Sequence, residues 1–482
     1  MWNKFMIEFL FIINTLLVFW ACGSKPFDPV EDPKDTVKTS EITCWKTDNE
    51  AKYLLLKQKD ILLFDSEFNI FQNIEIDAGK SYQTIDGFGY TMTGGSARVL
   101  NNLNSDIRQQ LLQELFGNSE TSIGISFLRL SIGASDLNDF PFSYNDLPYG
   151  EIDTLLHKFS LSNDLNDVIP ILKEIIEINP DIKFIATPWS APPWMKDNKS
   201  FIGGSLLHKY FKVYADYFVK YIVAMALHGI KIESVTPQNE PLHPGNNPSM
   251  YMSASDQAKF IKNYLGPAFV NNKLSTKIII YDHNCDKPEY PKSILDDPGA
   301  SIFIDGTAFH LYAGDISILS YIHDLFPQKN LYFTEQYTAS DGSFGNDLVW
   351  HLKNVIIGSM RNWSKIALEW NLANDADHKP HTEGGCSTCK GAITIKSKDS
   401  FMRNVGYYII AHASKFVPPG SVRIFSSQSG SLYNVAFKTP DDRKVLITLN
   451  DSDKIAFFNI KYQQRWCTVS LDAYDVATYI WK

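Results

Sequence analysis

Two glutamates stand where apolar runs stop. Glu240 ends the stretch PQNEP (237–241), and Glu335 lies in YFTEQY (332–337). Each follows residues of strand character and lies in a polar–aromatic setting. Hydrolysing a glycosidic bond requires two carboxyl groups with different duties: one protonates the departing oxygen, and the other attacks carbon or activates water. A single carboxylate at a strand end is more often solvated or salt-bridged. Two such ends must be explained together, and the pair is what points to chemistry. Asn239, directly before Glu240, offers an amide that can hold a sugar hydroxyl beside the reacting carbon.

Something must bring these residues together. From about residue 81, short apolar stretches alternate with longer helical ones, the pattern of βα units and a parallel sheet. Strands are predicted at 85–91, 125–131, 183–190, 232–239, 277–283, 306–312, 330–336 and 365–371. The clearest helix spans 206–228, with apolar residues at helical spacing and Gly229 as its stop. Eight units predict an α/β fold, a (β/α)8 TIM barrel over 81–416, with Glu240 and Glu335 ending strands four and seven. The polar strand ends Asn239-Glu240, Asp282-His283, His310, Glu335 and Asn371 then gather at one rim, where such barrels carry chemistry.

A last helix is predicted at 400–416, before Pro418-Pro419-Gly420. Beyond it the sequence is all-β, with strands at 432–438, 444–450, 455–462, 466–471 and 477–481. Two further strands, 53–64 and 71–76, lie ahead of the barrel with no other partner. A β-sandwich attached to the barrel and built from both chain ends (41–80 and 417–482) accommodates them all.

The 482 residues are 44% hydrophobic and 13% aromatic, enough for a large core, and the formal net charge of −9 leaves no footprint for nucleic acid. Residues 9–21 form an apolar run behind Lys4, too short to span a bilayer and suited to an export signal. It ends at Ala21-Cys22-Gly23, which predicts a leader over 1–22 with lipidation at Cys22. Residues 23–40 then read as a flexible tether, so the expected location is a bacterial envelope, with membrane contact only through the lipid. In an exported chain Cys386 and Cys389 read as a local disulfide. The alternative is zinc bound by those two cysteines with His378 and His381. A second bridge between Cys44 and Cys467 stays open, leaving Cys285 unpaired.

The motifs TPWSAPPWMK (187–196), TPQNEP (236–241), FHLY (309–312), FTEQ (333–336) and LEWNL (368–372) come in a definite order. They are flanked by GFGYTMT (87–93) and SKFVPPGSVRI (414–424). In this order the sequence resembles glycoside hydrolase family 30, in particular its glucosylceramidase branch. The resemblance implies Glu240 as acid/base, Glu335 as nucleophile, retention of configuration and no metal or organic cofactor. By the same resemblance, Trp189 and Trp370 are walls of the sugar site, and Arg129 packs beneath the nucleophile. It also implies that Asp136 orients neighbouring loops or substrate, and that His310 and Tyr312 lie within reach of Glu335. The expected partner is a carbohydrate or glycoconjugate.

Two positions depart from the glucosylceramidase pattern. An acidic residue is expected after Met92-Thr93, where this chain has Gly94, and a tryptophan is expected at Leu311. Losing both is expected to widen the pocket. The leading expectation is a glucosylceramidase-like retaining β-glucosidase, and the alternative is an endo-acting β-1,6-glucanase of the same family. A non-catalytic glycan-binding lipoprotein is the remote third.

Overall fold

The structure is a computed structural model that describes residues 39–482. The leader, Cys22 and all of the tether up to residue 38 lie outside the described residues. Among the described residues no helix is long and apolar enough to cross a membrane.

Eight parallel strands close a barrel: β1 Gly87–Met92, β2 Phe127–Ser131, β3 Lys183–Thr187, β4 Ser234–Val235, β5 Lys277–Cys285, β6 Ile304–Gly314, β7 Asn330–Glu335 and β8 Ser364–Asn371. Each pairs with its neighbours in sequence, and β8 closes on β1. Inward-facing Phe127, Ile185, Ile279, Ala308, Tyr332, Ile366 and Leu368 fill the interior, so the barrel is a packed plug with its chemistry confined to the rim above. The helix Phe211–Leu227 buries Phe211, Tyr214, Phe218, Ile222 and Met225 at three- and four-residue spacing. It stops at Gly229, whose φ of +84° favours a residue without Cβ.

β4 is far shorter than the expected 232–239. Pro237 has no N–H to give the ladder, and at Glu240 the backbone turns to a φ of +43°. The helix expected at 400–416 begins only at Val405. Residues Ser400–Arg403 instead pair with Ile393–Ser397, and the Asn404 amide is held by Gly391 O and Thr394 Oγ1, both at 2.7 Å.

The second layer of structure is a nine-stranded sheet drawn from both ends of the chain. Thr43–Thr47 pairs antiparallel with Val476–Trp481, and Gln72–Thr84 lies between Val422–Ser426 and Ala456–Tyr462. Of the expected strand 53–64 only Leu56–Lys57 is extended in the sheet, because Gln58, Lys59 and Asp60 interrupt its apolar run at the edge. The strands Thr43–Thr47 and Val422–Ser426 have no counterpart in the sequence reading. The strand predicted to end at residue 76 runs on to Thr84, next to the start of the barrel.

Cys44 and Cys467 are free thiols buried in the core of this sheet. Burial pushes their pKa values up to about 12 and about 11, and they act as small apolar fillers with no bridge between them. Cys285 is also free and buried.

Candidate active site

The site is built around one buried guanidinium. Arg129 on β2 is fully buried, and its Nη1 donates to Glu335 Oε2 at 2.6 Å. Its Nη2 donates to Asn239 Oδ1 at 2.7 Å and to Asp282 Oδ2 at 2.9 Å. A planar fork can satisfy several acceptors from fixed directions, which a lysine could not do. The rings of Trp189 and Trp370, with centroids 5.3 Å apart, lie against this guanidinium, its carbon 4.8 Å and 5.7 Å from them. Both indoles are almost wholly buried, so they hold Arg129 as much as they face the cleft.

Asp282 is the anchor beneath. Thr187 and Thr236 donate to its Oδ2 at 3.2 Å and 2.8 Å, and Thr334 donates to Oδ1 at 2.7 Å. Burial alone would raise its pKa, but Arg129, His310 and Thr334 outweigh burial and hold it well below the usual carboxylate range. Tyr281 and Asp282 both have positive φ, 75° and 59°, at a bulge in β5 that turns Asp282 inward. The strained turn at Glu240 is tied to this bulge, its N–H donating to Asp282 O at 3.0 Å. Strain of this kind persists only where the surroundings over-determine it.

The two glutamates meet across His310 on β6. Its Nδ1 lies 3.1 Å from Glu240 Oε1 and 3.7 Å from Glu335 Oε1, so these two oxygens are no more than 6.8 Å apart (3.1 plus 3.7). Its Nε2 is 3.1 Å from Asp282 Oδ1. Tyr312, also on β6, donates its hydroxyl to Glu335 Oε1 at 3.0 Å.

Burial works against a charged His310, but Glu335, Asp282 and Glu240 together push its pKa up to about 9. For Glu240, burial raises the pKa and the two histidines His283 and His310 more than offset it, leaving a net lowering. His283 Nδ1 stands 3.8 Å from Glu240 Oε1, too far for a hydrogen bond. Glu335 is displaced upward by burial, which outweighs the pull of His310 and Arg129. These groups titrate as a unit. His310 Nδ1 and Glu240 Oε1, 3.1 Å apart, can share one proton between them.

Glu240, His283 and His310 place ligand-type atoms within 4.8 Å of one another. Two histidines and a carboxylate can bind zinc. Here Arg129 and the raised pKa of His310 already supply positive charge to the cluster, which works against a dication.

Asp136 lies in the loop after β2, is buried, and accepts from Cys386 N at 3.2 Å. Its Oδ1 has no partner among the described residues, and burial, with the nearby charge of Glu335, pushes its pKa up to about 7. The sulfurs of Cys386 and Cys389 are bonded at 2.03 Å, which removes both as zinc ligands. This bridge packs with Leu137, Trp189 and Trp370, so the disulfide loop is part of the site's wall. Trp194 donates to Asn145 O and Oδ1, both at 3.0 Å, and supports a loop.

The two departures have different meanings in space. A Cβ on Gly94 would stand 2.0 Å from Asn138 Nδ2, so the Asn138 amide occupies the room an acidic side chain would need. Leu311 alternates with inward-facing His310 and Tyr312 and packs into the outer core, so its difference from tryptophan does not widen the pocket. Gly94→Asp should therefore overpack this corner, at a cost of about 1–3 kcal/mol, and cut turnover about tenfold or more. Adding Asn138→Gly should recover much of the thermal midpoint, and equal midpoints in the single and double variants would refute this account.

Sequence reasoning placed Asp282 and His283 only as polar strand ends and gave no role to Thr187, Thr236 or Thr334. Their shared signal is position at the ends of barrel strands. Their convergence on one carboxylate depends on register and on the β5 bulge.

A closed parallel barrel with paired glutamates over its C-terminal rim defines a barrel hydrolase of glycosidic bonds. Comparison with known proteins makes this specific. The family model for the glycosyl hydrolase family 30 TIM-barrel domain matches residues 85–417, and that for the family 30 beta sandwich domain matches 420–479. The chain belongs to glycoside hydrolase family 30, and it is a glycoside hydrolase acting on carbohydrate. It is 33% identical over 415 residues to the endo-1,6-beta-D-glucanase neg1 of Aspergillus fumigatus, covering 80% of this chain and 82% of that one. The mouse lysosomal acid glucosylceramidase is 27% identical over 432 residues, covering 84% and 82%. Among solved structures, the endo-beta1,6-glucanase BT3312 superposes with a TM-score of 0.85 at 34% identity, covering 92% of this chain and 99% of that one.

Proposed function

We propose that this enzyme is an endo-acting β-1,6-glucanase that retains anomeric configuration, with Glu240 as acid/base and Glu335 as nucleophile. The observation that carries the catalytic assignment is the approach of both carboxylates to His310 Nδ1, which limits their Oε1 separation to 6.8 Å. A separation of at most 6.8 Å admits the retaining spacing of about 5–5.5 Å and leaves out nearly all of the inverting range of about 6.5–9.5 Å.

The roles follow from the contacts. Glu335 is held by Arg129 and Tyr312 and has no imidazole proton to accept at hydrogen-bond distance, so its free electron pair is aimed by donors on two sides. Glu240 shares a proton with His310, which suits it to protonate the glycosidic oxygen as that bond breaks. Glu335 forms the glycosyl ester as the sugar–oxygen bond opens. Its negative charge is then consumed, and Glu240, now ionised, removes a proton from the water that cleaves the ester.

The preference for β-1,6-glucan over a glucosyl lipid rests on the glucanase relatives at 33–34% identity and on the missing carboxylate at Gly94. The glucosylceramidase-like reading, first in the sequence analysis, takes second place, because the mouse glucosylceramidase is more distant at 27%. A product profile on β-1,6-glucan, gentiobiose and a glucosyl lipid tests this. The expected result is a ladder of β-1,6-linked oligomers with little turnover of the lipid. Glucose as sole early product, or faster cleavage of the lipid, would overturn it.

A further inference from the structure

On the flank of the molecule, away from the carboxylate pair, a groove of about 1000 Å³ runs between the helix Phe344–His351 and loops of the terminal sheet. Trp350, on the helix, is 39% exposed, and Tyr474, in a turn before the last strand, is 37% exposed. Tyr474 is held with a φ of +62°, a conformation that a bulky residue adopts only when its neighbours require it.

Three charged side chains line the groove, Glu50, Lys353 and Asp451, and Glu50 is paired with Lys52. Lys353 Nζ pairs with Asp451 Oδ2 at 2.7 Å and lies 4.3 Å from the Tyr433 ring centroid. What faces the groove is then chiefly aromatic and amide. The Asn346 backbone N–H is spent on Ser343 Oγ at 3.2 Å, and its side-chain amide has no partner among the described residues. The opposite wall is preorganised: Asn49 Nδ2 donates to Ala473 O at 3.2 Å, and Asn49 N donates to Asp475 Oδ1 at 3.3 Å.

Aromatic faces beside neutral amides, with the central ion pair satisfied internally, suit a neutral polyol better than an anion, a cation or an apolar chain. Sugar rings present C–H faces for stacking and hydroxyls for amides, and the volume is at the upper end for a single ligand site. We propose that this groove is a second saccharide-binding site, which grips a stretch of the same β-glucan chain that the barrel cuts. The identity of that polymer rests on the function proposed above, whereas the neutral-polysaccharide chemistry of the groove does not. Such a site raises the local concentration of polymer at the enzyme and leaves small substrates unaffected.

The test uses the whole chain carrying Glu335→Gln, so that polymer is not consumed, and measures its retention on insoluble β-1,6-glucan, β-1,3-glucan and xylan. Trp350→Ala with Tyr474→Ala should lower retention on β-1,6-glucan about tenfold, the loss expected for two stacking rings. In the otherwise native enzyme the same pair should lower turnover of dilute polymer severalfold and leave kcat/KM on an aryl β-glucoside unchanged. Both side chains are exposed, and an unchanged thermal midpoint confirms an intact fold. Asn346→Ala serves as a milder second variant in the same direction. Retention on another polysaccharide of the panel, lost in the double variant, would keep the groove and overturn the β-1,6 reading. Equal retention with and without the two rings, or no retention on any polymer, would overturn the groove.

Discussion

Glu335→Gln leaves an activated aryl β-glucoside essentially uncut, with a fall in turnover of at least about a thousandfold. The amide keeps the volume and can still accept from Arg129 and Tyr312, so the fold should survive, but it has no charge with which to attack the anomeric carbon. Glu240→Ala behaves differently. With a leaving group that needs no protonation, the glycosyl ester still forms and then waits for a base. A small anion such as azide can enter the space left by the side chain, attack without base assistance, and release the β-glycosyl azide. Azide should therefore rescue Glu240→Ala and leave Glu335→Gln inactive. Rescue of both variants, or full activity in either, would remove the assignment; rescue with inverted product would exchange the two roles.

Arg129→Met should be the most damaging change outside the glutamates. It leaves Asp282 and Glu335 without the guanidinium that both contact, at 2.9 Å and 2.6 Å, in a place where Arg129 and Asp282 have no solvent exposure. Removing one partner of a buried pair costs about 3–5 kcal/mol, because the remaining charge stays desolvated. Chemical denaturation should show that loss, and kcat/KM should fall by about a hundredfold or more as Glu335 gains a proton and loses its aim. If Arg129→Met does not fold, Arg129→Lys decides the question. It keeps the charge but cannot serve Glu335, Asn239 and Asp282 from one planar fork, so it should keep most of the stability and lose most of the activity. A fully active lysine variant would show that charge alone is needed.

The barrel was legible because its strands are short, apolar and separated by helical stretches of the right length. β4 nevertheless shrinks to Ser234–Val235, because Pro237 and the turn at Glu240 end the ladder before the apolar run ends. The terminal sheet was legible as a union of both chain ends. Its edges were not, since strands such as Thr43–Thr47 are defined by a partner more than four hundred residues away.

What the sequence by itself determined is the chemistry-bearing pair and its scaffold. Glu240 follows strand four and Glu335 ends strand seven, and the period of apolar residues specifies a closed parallel barrel that brings such positions to one rim. What only the tertiary structure decided is the state of those carboxyls and the shape around them. Arg129, His310 and Asp282 act on the pair through contacts of 2.6–3.7 Å across different strands, fixed by register and by a bulge with no local signature. The same holds for Asn138 filling the space beside Gly94, and for Leu311 facing outward. Local propensity sets which residues end a strand, whereas their charge and the room they have depend on neighbours that only folding brings near.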